Sequence, residues 1–208
     1  MKRILCLILC VGMLFALTGC YSDLKANLQT VIDTKIESED TYTPNSYDNY
    51  LSSLAEAESV KEKTIVTAQQ IKDAKSNLET ALEELYVKPD KTELNQKLDD
   101  AKQLDQSKYL PNSTATLVKA IDESTVIFED DNAVAEDVQR AITDLATGTN
   151  ALVVKPDKTG LEKLLSKAKN LDKNKYTTVS VGQLETAITS TSTTMNNENA
   201  TSSDVDVR

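Results

Sequence analysis

Apolar residues recur along most of this chain at intervals of three and four, which places them on one face of a helix. The clearest such stripe follows Thr67 and consists of Ile71, Ala74, Leu78, Ala81, Leu82 and Leu85. Similar stripes come before and after it, separated by short polar segments. Their members include Leu24, Leu28, Tyr50, Leu54, Ala57 and Val60 before it, and Leu94, Leu98, Ala101, Leu117, Ala120, Ile121, Val138, Ala141 and Leu145 after it. The pattern predicts an all-α protein with helices of about 12 to 20 residues.

The stripes return after a fixed offset of 67 residues. The hexapeptide Val-Lys-Pro-Asp-Lys-Thr at Val87–Thr92 is repeated without change at Val154–Thr159, and Tyr42, Tyr109 and Tyr176 are separated by the same offset. A constant offset of this size indicates tandem structural units. Each complete unit holds three stripes, and the simplest packing for it is an antiparallel three-helix bundle.

The predicted boundaries follow from the offset. Residues 20–87, 88–154 and 155–208 form repeats 1, 2 and 3. Before Tyr42 the stripes match at an offset of 70, which predicts three extra residues in the polar stretch from Lys35 to Thr41. Repeat 3 is expected to be truncated, because Arg208 falls in the column of Ala141 and leaves out most of a third helix.

Polar residues near the helix starts indicate where the helices begin. Asn45 or Ser46 is expected to be the N-cap residue of the second helix. Asp90 is expected to cap the first helix of repeat 2, with Glu93 completing an arrangement similar to a capping box. Gly148 interrupts a helix and is expected to cost about 1 kcal/mol of local helix stability.

The N-terminus has the features of an export signal. Lys2 and Arg3 precede an apolar run from Ile4 to Leu17, which is shorter than a membrane-spanning helix requires. The run ends in Leu-Thr-Gly-Cys, which resembles the lipobox of bacterial lipoproteins. This resemblance implies that residues 1–19 are a lipoprotein signal peptide, and that lipid on Cys20 anchors the protein in the membrane. The alternative is an ordinary signal peptide followed by a chance Cys.

Composition narrows the function further. Cys6 and Cys10 lie in the signal segment, so the mature chain keeps only Cys20 and cannot form an intrachain disulfide. Removal of Lys2 and Arg3 leaves 21 basic and 33 acidic residues, a net charge of −12, which argues against nucleic acid as a partner. The chain has no His and no glycine-rich phosphate loop, so neither a cofactor nor an enzymatic activity is expected.

A second recurring pattern links the first helix of a repeat to its tyrosine. In repeat 2, Leu94 and Leu98 are followed by Ala-Lys-x-Leu-Asp-x-x-x-Tyr ending at Tyr109, and this run occurs again from Ala168 to Tyr176. With the closing Val-Lys-Pro, it resembles the FIVAR repeat of bacterial cell-surface proteins, from about residue 24 onward. The resemblance implies tandem three-helix bundles outside mostly Gram-positive bacteria, in matrix-binding adhesins or beside carbohydrate-active modules. It implies no catalytic residue.

Tyr42, Tyr109 and Tyr176 are the candidate binding residues, because they share one column of the repeat. An exposed tyrosine ring could contact a sugar or a protein. The competing interpretation is a ring packed under the turn between two helices, with its hydroxyl group at the edge. We favour this interpretation, because packing also demands strict recurrence at a turn.

The acidic run Glu129–Asp131, with Glu136 and Asp137, could bind a cation. Repeat 1 has Lys61-Glu62-Lys63-Thr64 at the matching place, so the acidity is not a property of the repeat. Acid at the N-terminus of a helix is favourable by itself. No metal site is therefore expected.

The sequence predicts a lipid-anchored protein on the extracytoplasmic face of the cell membrane. Its repeats are expected to act in adhesion, binding an extracellular matrix protein or a cell-wall or host glycan. The alternative is a spacer that projects a further domain beyond Arg208 and binds nothing itself. A solute-binding lipoprotein is disfavoured, because the chain has no alternation of strands and helices.

Overall fold

The computed structural model describes residues 21–34, 36 and 38–206, and this part of the chain is all-α. Three single-turn 3-10 helices, Glu39–Thr41, Gln106–Lys108 and Lys173–Lys175, lie shortly before Pro44, Pro111 and Thr178, where longer helices begin. The helices of the described residues are α1 (residues 21–32), α2 (Pro44–Glu62), α3 (Ala68–Glu83), α4 (Thr92–Gln103), α5 (Pro111–Glu129), α6 (Ala135–Asn150), α7 (Thr159–Lys169), α8 (Thr178–Asn196) and α9 (Ser202–Val205).

Two of the sequence predictions fall outside these ranges in whole or in part. The signal segment and Cys20 lie outside the described residues. The predicted insertion before Tyr42 includes Lys35 and Glu37, which also lie outside them.

Contacts within the chain define two compact units. Unit 1 consists of the described residues from 21 to 90 together with Asp130–Ala135. Unit 2 consists of Lys91–Glu129 and the described residues from 136 to 206. Asp130–Ala135 is the loop that joins α5 to α6, so unit 1 holds repeat 1 and one loop of repeat 2.

Three helices build the core of repeat 1, as the apolar stripes predict. Leu28 on α1 lies against a row of side chains from α2 and a row from α3. The three- and four-residue spacing keeps each row on one helix face. The buried members of these two rows, all of them predicted, are Tyr50, Ala57, Val60, Ile71, Ala74, Leu78 and Ala81.

Repeat 2 has the same construction, and the buried residues of its three helices lie on positions of the predicted apolar stripes. The contributing helices are α4, α5 and α6. Their buried residues are Leu94, Leu98, Ala101, Leu117, Ala120, Val138, Ala141 and Leu145. Repeat 3 differs within the described residues, because α7 buries Leu161 whereas α8 buries no side chain.

The structure corrects two expectations about helix starts in repeat 1. Residues 21–23, expected from their place between Cys20 and the first apolar stripe to be a short tether, are instead helical, and Tyr21 packs against the core. The N-cap residue of α2 is Thr43, so Asn45 and Ser46 lie within the first turn. Pro44 takes the first helical position, where a missing N–H costs no hydrogen bond.

The first helix of repeat 2 also starts differently from the prediction, whereas α3 starts as expected. The N-cap residue of α4 is Lys91 and not Asp90. At the start of α3, the Gln70 N–H donates to Thr67 Oγ1 (3.1 Å), and the Thr67 N–H donates to Gln70 Oε1 (2.8 Å). These two reciprocal bonds form a capping box.

Gly148 lies where α6 crosses α5 at short range. A Cβ atom added to Gly148 would stand 2.8 Å from Leu117 Cα and 3.1 Å from Leu117 N. Both are backbone atoms, which cannot rotate away as the end of a side chain can. The residue that weakens α6 therefore also permits the close approach of α5.

Replacing Gly148 with Ala is expected to destabilise the protein. Overpacking a tight contact costs about 1 to 3 kcal/mol, whereas the gain in helix propensity is about 1 kcal/mol. The free energy of unfolding should therefore fall by up to about 2 kcal/mol, as measured by urea denaturation followed by circular dichroism.

Gly182→Ala is the matched control. Gly182 lies inside α8, and no atom lies within 4 Å of its added Cβ. This variant should keep or raise the helix stability, by up to about 1 kcal/mol. A Gly148→Ala protein at least as stable as its parent would contradict the close-packing argument.

Candidate functional site

Two backbone hydrogen bonds close repeat 1 at the start of α2. The Thr43 N–H donates to Tyr86 O (2.8 Å), and the Lys88 N–H donates to Thr41 O (2.9 Å). They form an isolated antiparallel β-bridge between Tyr42 and Val87. This bridge, which we call the clasp, brings the segment after α3 back to the start of α2, so α2 and α3 are antiparallel.

Repeat 2 has a clasp with the same geometry. The Leu110 N–H donates to Val153 O (2.8 Å), and the Lys155 N–H donates to Lys108 O (2.9 Å). Leu110 is buried, which the helical stripes did not predict because it lies ahead of α5. The repetition of both bonds makes the clasp a property of the repeat.

A serine recurs at the same position of α2, α5 and α8, and in repeats 1 and 2 it supports the clasp. Ser46 Oγ accepts a hydrogen bond from the Tyr86 N–H (3.2 Å) and donates one to Thr43 O (3.0 Å). Ser113 Oγ makes the two equivalent bonds at 3.0 and 2.8 Å. Ser180 Oγ donates to the carbonyl three residues before it (2.9 Å). The repeated Ser is therefore a bracing residue within α2, α5 and α8 and not an N-cap residue.

The three candidate tyrosines lie at the clasp or at the equivalent position of repeat 3. Tyr42 and Tyr109 are half-buried, and each forms the β-bridge through its backbone. Tyr176 is 52% exposed. Backbone pairing explains why the position recurs, but it sets no requirement for an aromatic side chain. The rings therefore remain candidates for a surface contact.

A lysine at the start of each repeat reaches the end of its second helix. Lys91 Nζ donates to Phe128 O at the end of α5 (3.0 Å). Lys158 Nζ reaches three carbonyl oxygens at the end of α8, at 2.7 to 3.1 Å. Lys25 Nζ reaches two at the end of α2, at 2.8 and 2.9 Å. A cation at a helix C-terminus satisfies carbonyl groups that have no partner within the helix.

These contacts assign structural roles to the repeated hexapeptide. Val87 and Lys88 close repeat 1 through the clasp. Lys91 stabilises the end of α5, and Thr92 begins α4. The first part of the hexapeptide thus completes one repeat and the last part organises the next.

Asparagine side chains make a second recurring contact, which we call the asparagine contact. In unit 1, the Asn45 N–H donates to Asn132 Oδ1 (2.7 Å). In unit 2, the Asn112 N–H donates to Asn199 Oδ1 (2.9 Å). Each donor lies in the first turn of a helix, where an N–H has no acceptor in the helix itself. Both acceptors follow their donors by 87 residues.

The loop that carries each asparagine is locally ordered. The Asn132 N–H donates to Asp130 Oδ1 (2.8 Å), and the Asn199 N–H donates to Asn197 Oδ1 (2.9 Å). Ala133 and Ala200, the next residues, are both buried. Sequence reasoning did not single out this contact, although Asn-Ala recurs there at the 67-residue offset.

The acidic run before α6 has a structural explanation. The Asp130 carboxylate accepts a hydrogen bond from the Asn132 N–H, and at the matching place in repeat 3 the Asn197 amide oxygen accepts one from the Asn199 N–H. The turn therefore needs an oxygen acceptor at this position but does not need a carboxylate. Among the described residues, no group of three or more Cys, Asp or Glu side chains is arranged to hold a metal ion.

A depression of about 390 Å³ lies between α5 and α6. Its lining includes Ser124, whose hydroxyl donates to Ala141 O (3.3 Å). The hydroxyl is therefore engaged in packing α5 against α6.

Two exposed carboxylates organise the turns around the first helices. Asp105 accepts hydrogen bonds from the Ser107 hydroxyl (2.6 Å) and the Ser107 N–H (3.2 Å). These bonds stabilise the charged form and lower the pKa of Asp105. Hydrogen bonds from Thr159 lower the pKa of Asp157, which precedes α7, in the same way.

The repeats match a known protein family. The model of the FIVAR domain matches residues 21–86, 90–153 and 157–206. This chain belongs to the FIVAR domain family. FIVAR domains are found in cell-surface proteins, often together with glycan-related enzymes, which indicates an extracellular or cell-surface protein. No solved structure matches the chain.

The chain is also similar to part of a much longer protein. It is 25% identical over 191 residues to the polysaccharide lyase 8 family protein HylA of Enterococcus faecalis (strain ATCC 700802 / V583). The match covers 88% of this chain and 14% of that protein. Within the described part of this chain, no helix combines the length and the apolar character that crossing a membrane requires.

Replacing Asn199 with Ala is expected to expose the Asn112 amide. Loss of one exposed hydrogen bond costs about 0.5 to 1.5 kcal/mol, so amide exchange at residue 112 should become up to about tenfold faster. Hydrogen exchange followed by NMR measures the rate at single amides.

The second asparagine contact provides the control. Asn199→Ala should leave exchange at Asn45 unchanged, because its acceptor is Asn132. Asn132→Ala should produce the opposite pair of effects. Equal changes at both amides in either variant would show that the effect is a general loss of stability.

Proposed function

We propose that this FIVAR protein is a bacterial lipoprotein, held through Cys20 on the extracytoplasmic face of the cell membrane. Its helical repeats bind an extracellular glycan or matrix protein. The chain acts through binding and not through catalysis, and it requires no cofactor.

The anchor is supported by the order of residues at the N-terminus. A basic pair, an apolar run and Leu-Thr-Gly-Cys follow one another before the first helix. The FIVAR family, found in cell-surface proteins, is consistent with such an export route. Acylation in the lipoprotein manner supplies more than one chain, which gives stable anchoring.

The exposure of Tyr176 carries the binding proposal. This residue is 52% exposed, and at the equivalent positions of repeats 1 and 2 the clasp uses only the backbone of Tyr42 and Tyr109. An exposed tyrosine offers an apolar face and a hydroxyl group, which suits both sugars and protein surfaces. The polysaccharide lyase family name of the Enterococcus relative favours a glycan as the first class to test.

A spacer is the second candidate function, and a different observation favours it. The clasp, the lysine contacts and the asparagine contact all satisfy groups of the chain itself. The match also covers only 14% of the relative, so such repeats can form a small part of a large protein. In this case the repeats hold another domain away from the membrane.

Lipidation of Cys20 is tested by labelling growing cells with a fatty acid that carries an alkyne group. The parent protein should become labelled and partition into detergent, whereas Cys20→Ala should do neither. Cys6→Ala is the control, since Cys6 lies in the segment that cleavage removes. Unlabelled parent protein, or labelled Cys20→Ala protein, would contradict the anchor.

Binding is tested with the mature chain carrying Cys20→Ser, applied to arrays of glycans and matrix proteins at physiological salt. Saturable binding should become about tenfold weaker or more in Tyr176→Ala, since truncation of an aromatic contact residue commonly has this effect. Leu164→Ala is the control, because Leu164 is also largely exposed in repeat 3 (62%). A folded chain that binds nothing on the arrays would leave the spacer function.

A further inference from the structure

The loop between α2 and α3 of repeat 1 departs from its counterparts in repeats 2 and 3. At the position of Asn132 and Asn199, repeat 1 has Ile65. The side chain of Ile65 is 93% exposed, the highest value among the large apolar residues that the structure describes. A single exposed apolar residue needs no partner by itself, so the chemistry around Ile65 decides what it can contact.

The charge of this loop is also reversed. Lys63 and Thr64 stand where repeat 2 has Asp130 and Asp131. Lys25 and Lys61 lie at the same end of repeat 1, since Lys25 Nζ donates to Lys61 O (2.9 Å) and to Lys63 O (2.8 Å).

Two acidic residues, Asp23 and Glu62, lie in the same two segments as the three lysines. The net charge of these five residues is +1, at one end of a mature chain whose net charge is −12. These two segments therefore do not repel an anionic surface, although the mature chain as a whole is acidic.

The same end is close to the predicted lipid. Tyr21, Ser22 and Lys25 line one depression of about 480 Å³ together with Thr64, Ile65 and Val66. Tyr21 follows Cys20 directly in the sequence, and one residue spans at most about 3.6 Å. Lipid on Cys20 would therefore hold this depression within a few ångströms of the bilayer surface.

We propose that this end of repeat 1, the membrane-facing tip (Tyr21, Lys25, Lys61, Lys63 and Ile65), rests on an anionic phospholipid bilayer. Ile65 enters the interfacial region, and the tyrosine ring lies at headgroup level, where such rings are favoured. The lysine ammonium groups lie near lipid phosphates. The inference rests on the proposed anchoring through Cys20, and it makes the tip a second contact with the membrane.

The test uses the lipidated protein in vesicles of phosphatidylcholine and phosphatidylglycerol. In the mature lipidated chain the only Cys carries lipid, so Thr64→Cys supplies a single thiol for an environment-sensitive fluorophore. At this position the emission maximum of the fluorophore should shift to a shorter wavelength, and nitroxide-labelled lipid should quench the emission. Asp131→Cys is the matched control, because residue 131 is the counterpart of Thr64 in repeat 2 and should report water.

Side-chain recognition is tested by giving the tip the residues of repeat 2. Lys63→Asp together with Ile65→Asn, in the Thr64→Cys protein, should abolish the quenching while circular dichroism shows an unchanged helix content. Quenching that persists in this variant overturns the proposal, since it reports only nearness to the lipid. Equal quenching on vesicles of phosphatidylcholine alone overturns the part assigned to the lysines.

The experiment distinguishes a wrong proposal about the membrane-facing tip from a wrong proposal about the lipid anchor. If the labelled protein carries lipid and floats with the vesicles, but position 64 is as wet as position 131, the tip proposal is wrong and the anchor stands. If the protein carries no lipid and does not float, both proposals are wrong.

Discussion

The clasp is the interaction on which the structure of a repeat depends. The N–H of Thr43, a buried residue, would lack its protein partner without it, and an unsatisfied buried polar group costs about 1 to 3 kcal/mol. Because the clasp joins the segment after α3 to the start of α2, it fixes how long this pair of helices and its loop can be. Repeat 2 closes between Tyr109 and Val154 after the same number of residues. The 67-residue period is therefore restricted by hydrogen bonding as well as by the apolar core.

Most of the helical core could be predicted from one sequence, because burial of a helix face imposes a spacing that needs no knowledge of its partner. Leu94, Leu98 and Leu145 were predicted from this spacing and are buried. The N-cap residues were harder to predict, since Asn45 and Ser46 are both suitable in composition. Ser46 is used for the clasp and Asn45 for the asparagine contact, and both roles depend on residues distant in the sequence.

The candidate site was less predictable than the core, for a related reason. Recurrence shows that a position is constrained, but it does not separate a backbone constraint from a side-chain function. The tyrosine column illustrates this, because Tyr42 and Tyr109 form the clasp through their backbones, whereas Tyr176 at the equivalent position of repeat 3 is 52% exposed. The asparagine contact was missed because a single polar residue in a loop has no periodicity of its own. Its signal was the repetition of Asn-Ala, at Ala133 and Ala200.

Once the structural contacts are known, a position at which the repeats differ is more informative about function than one at which they agree. Asp130 and Asn197 differ in charge but accept the same turn bond, so this variation carries no functional meaning. Ile65 is different, because an isoleucine cannot accept the bond that Asn132 and Asn199 accept, and its exposed side chain has no packing role. An apolar side chain left in water gains none of the free energy that burial supplies. Under the proposed anchoring through Cys20, a bilayer would lie close to Ile65, and its interfacial region offers such a side chain an environment less polar than water.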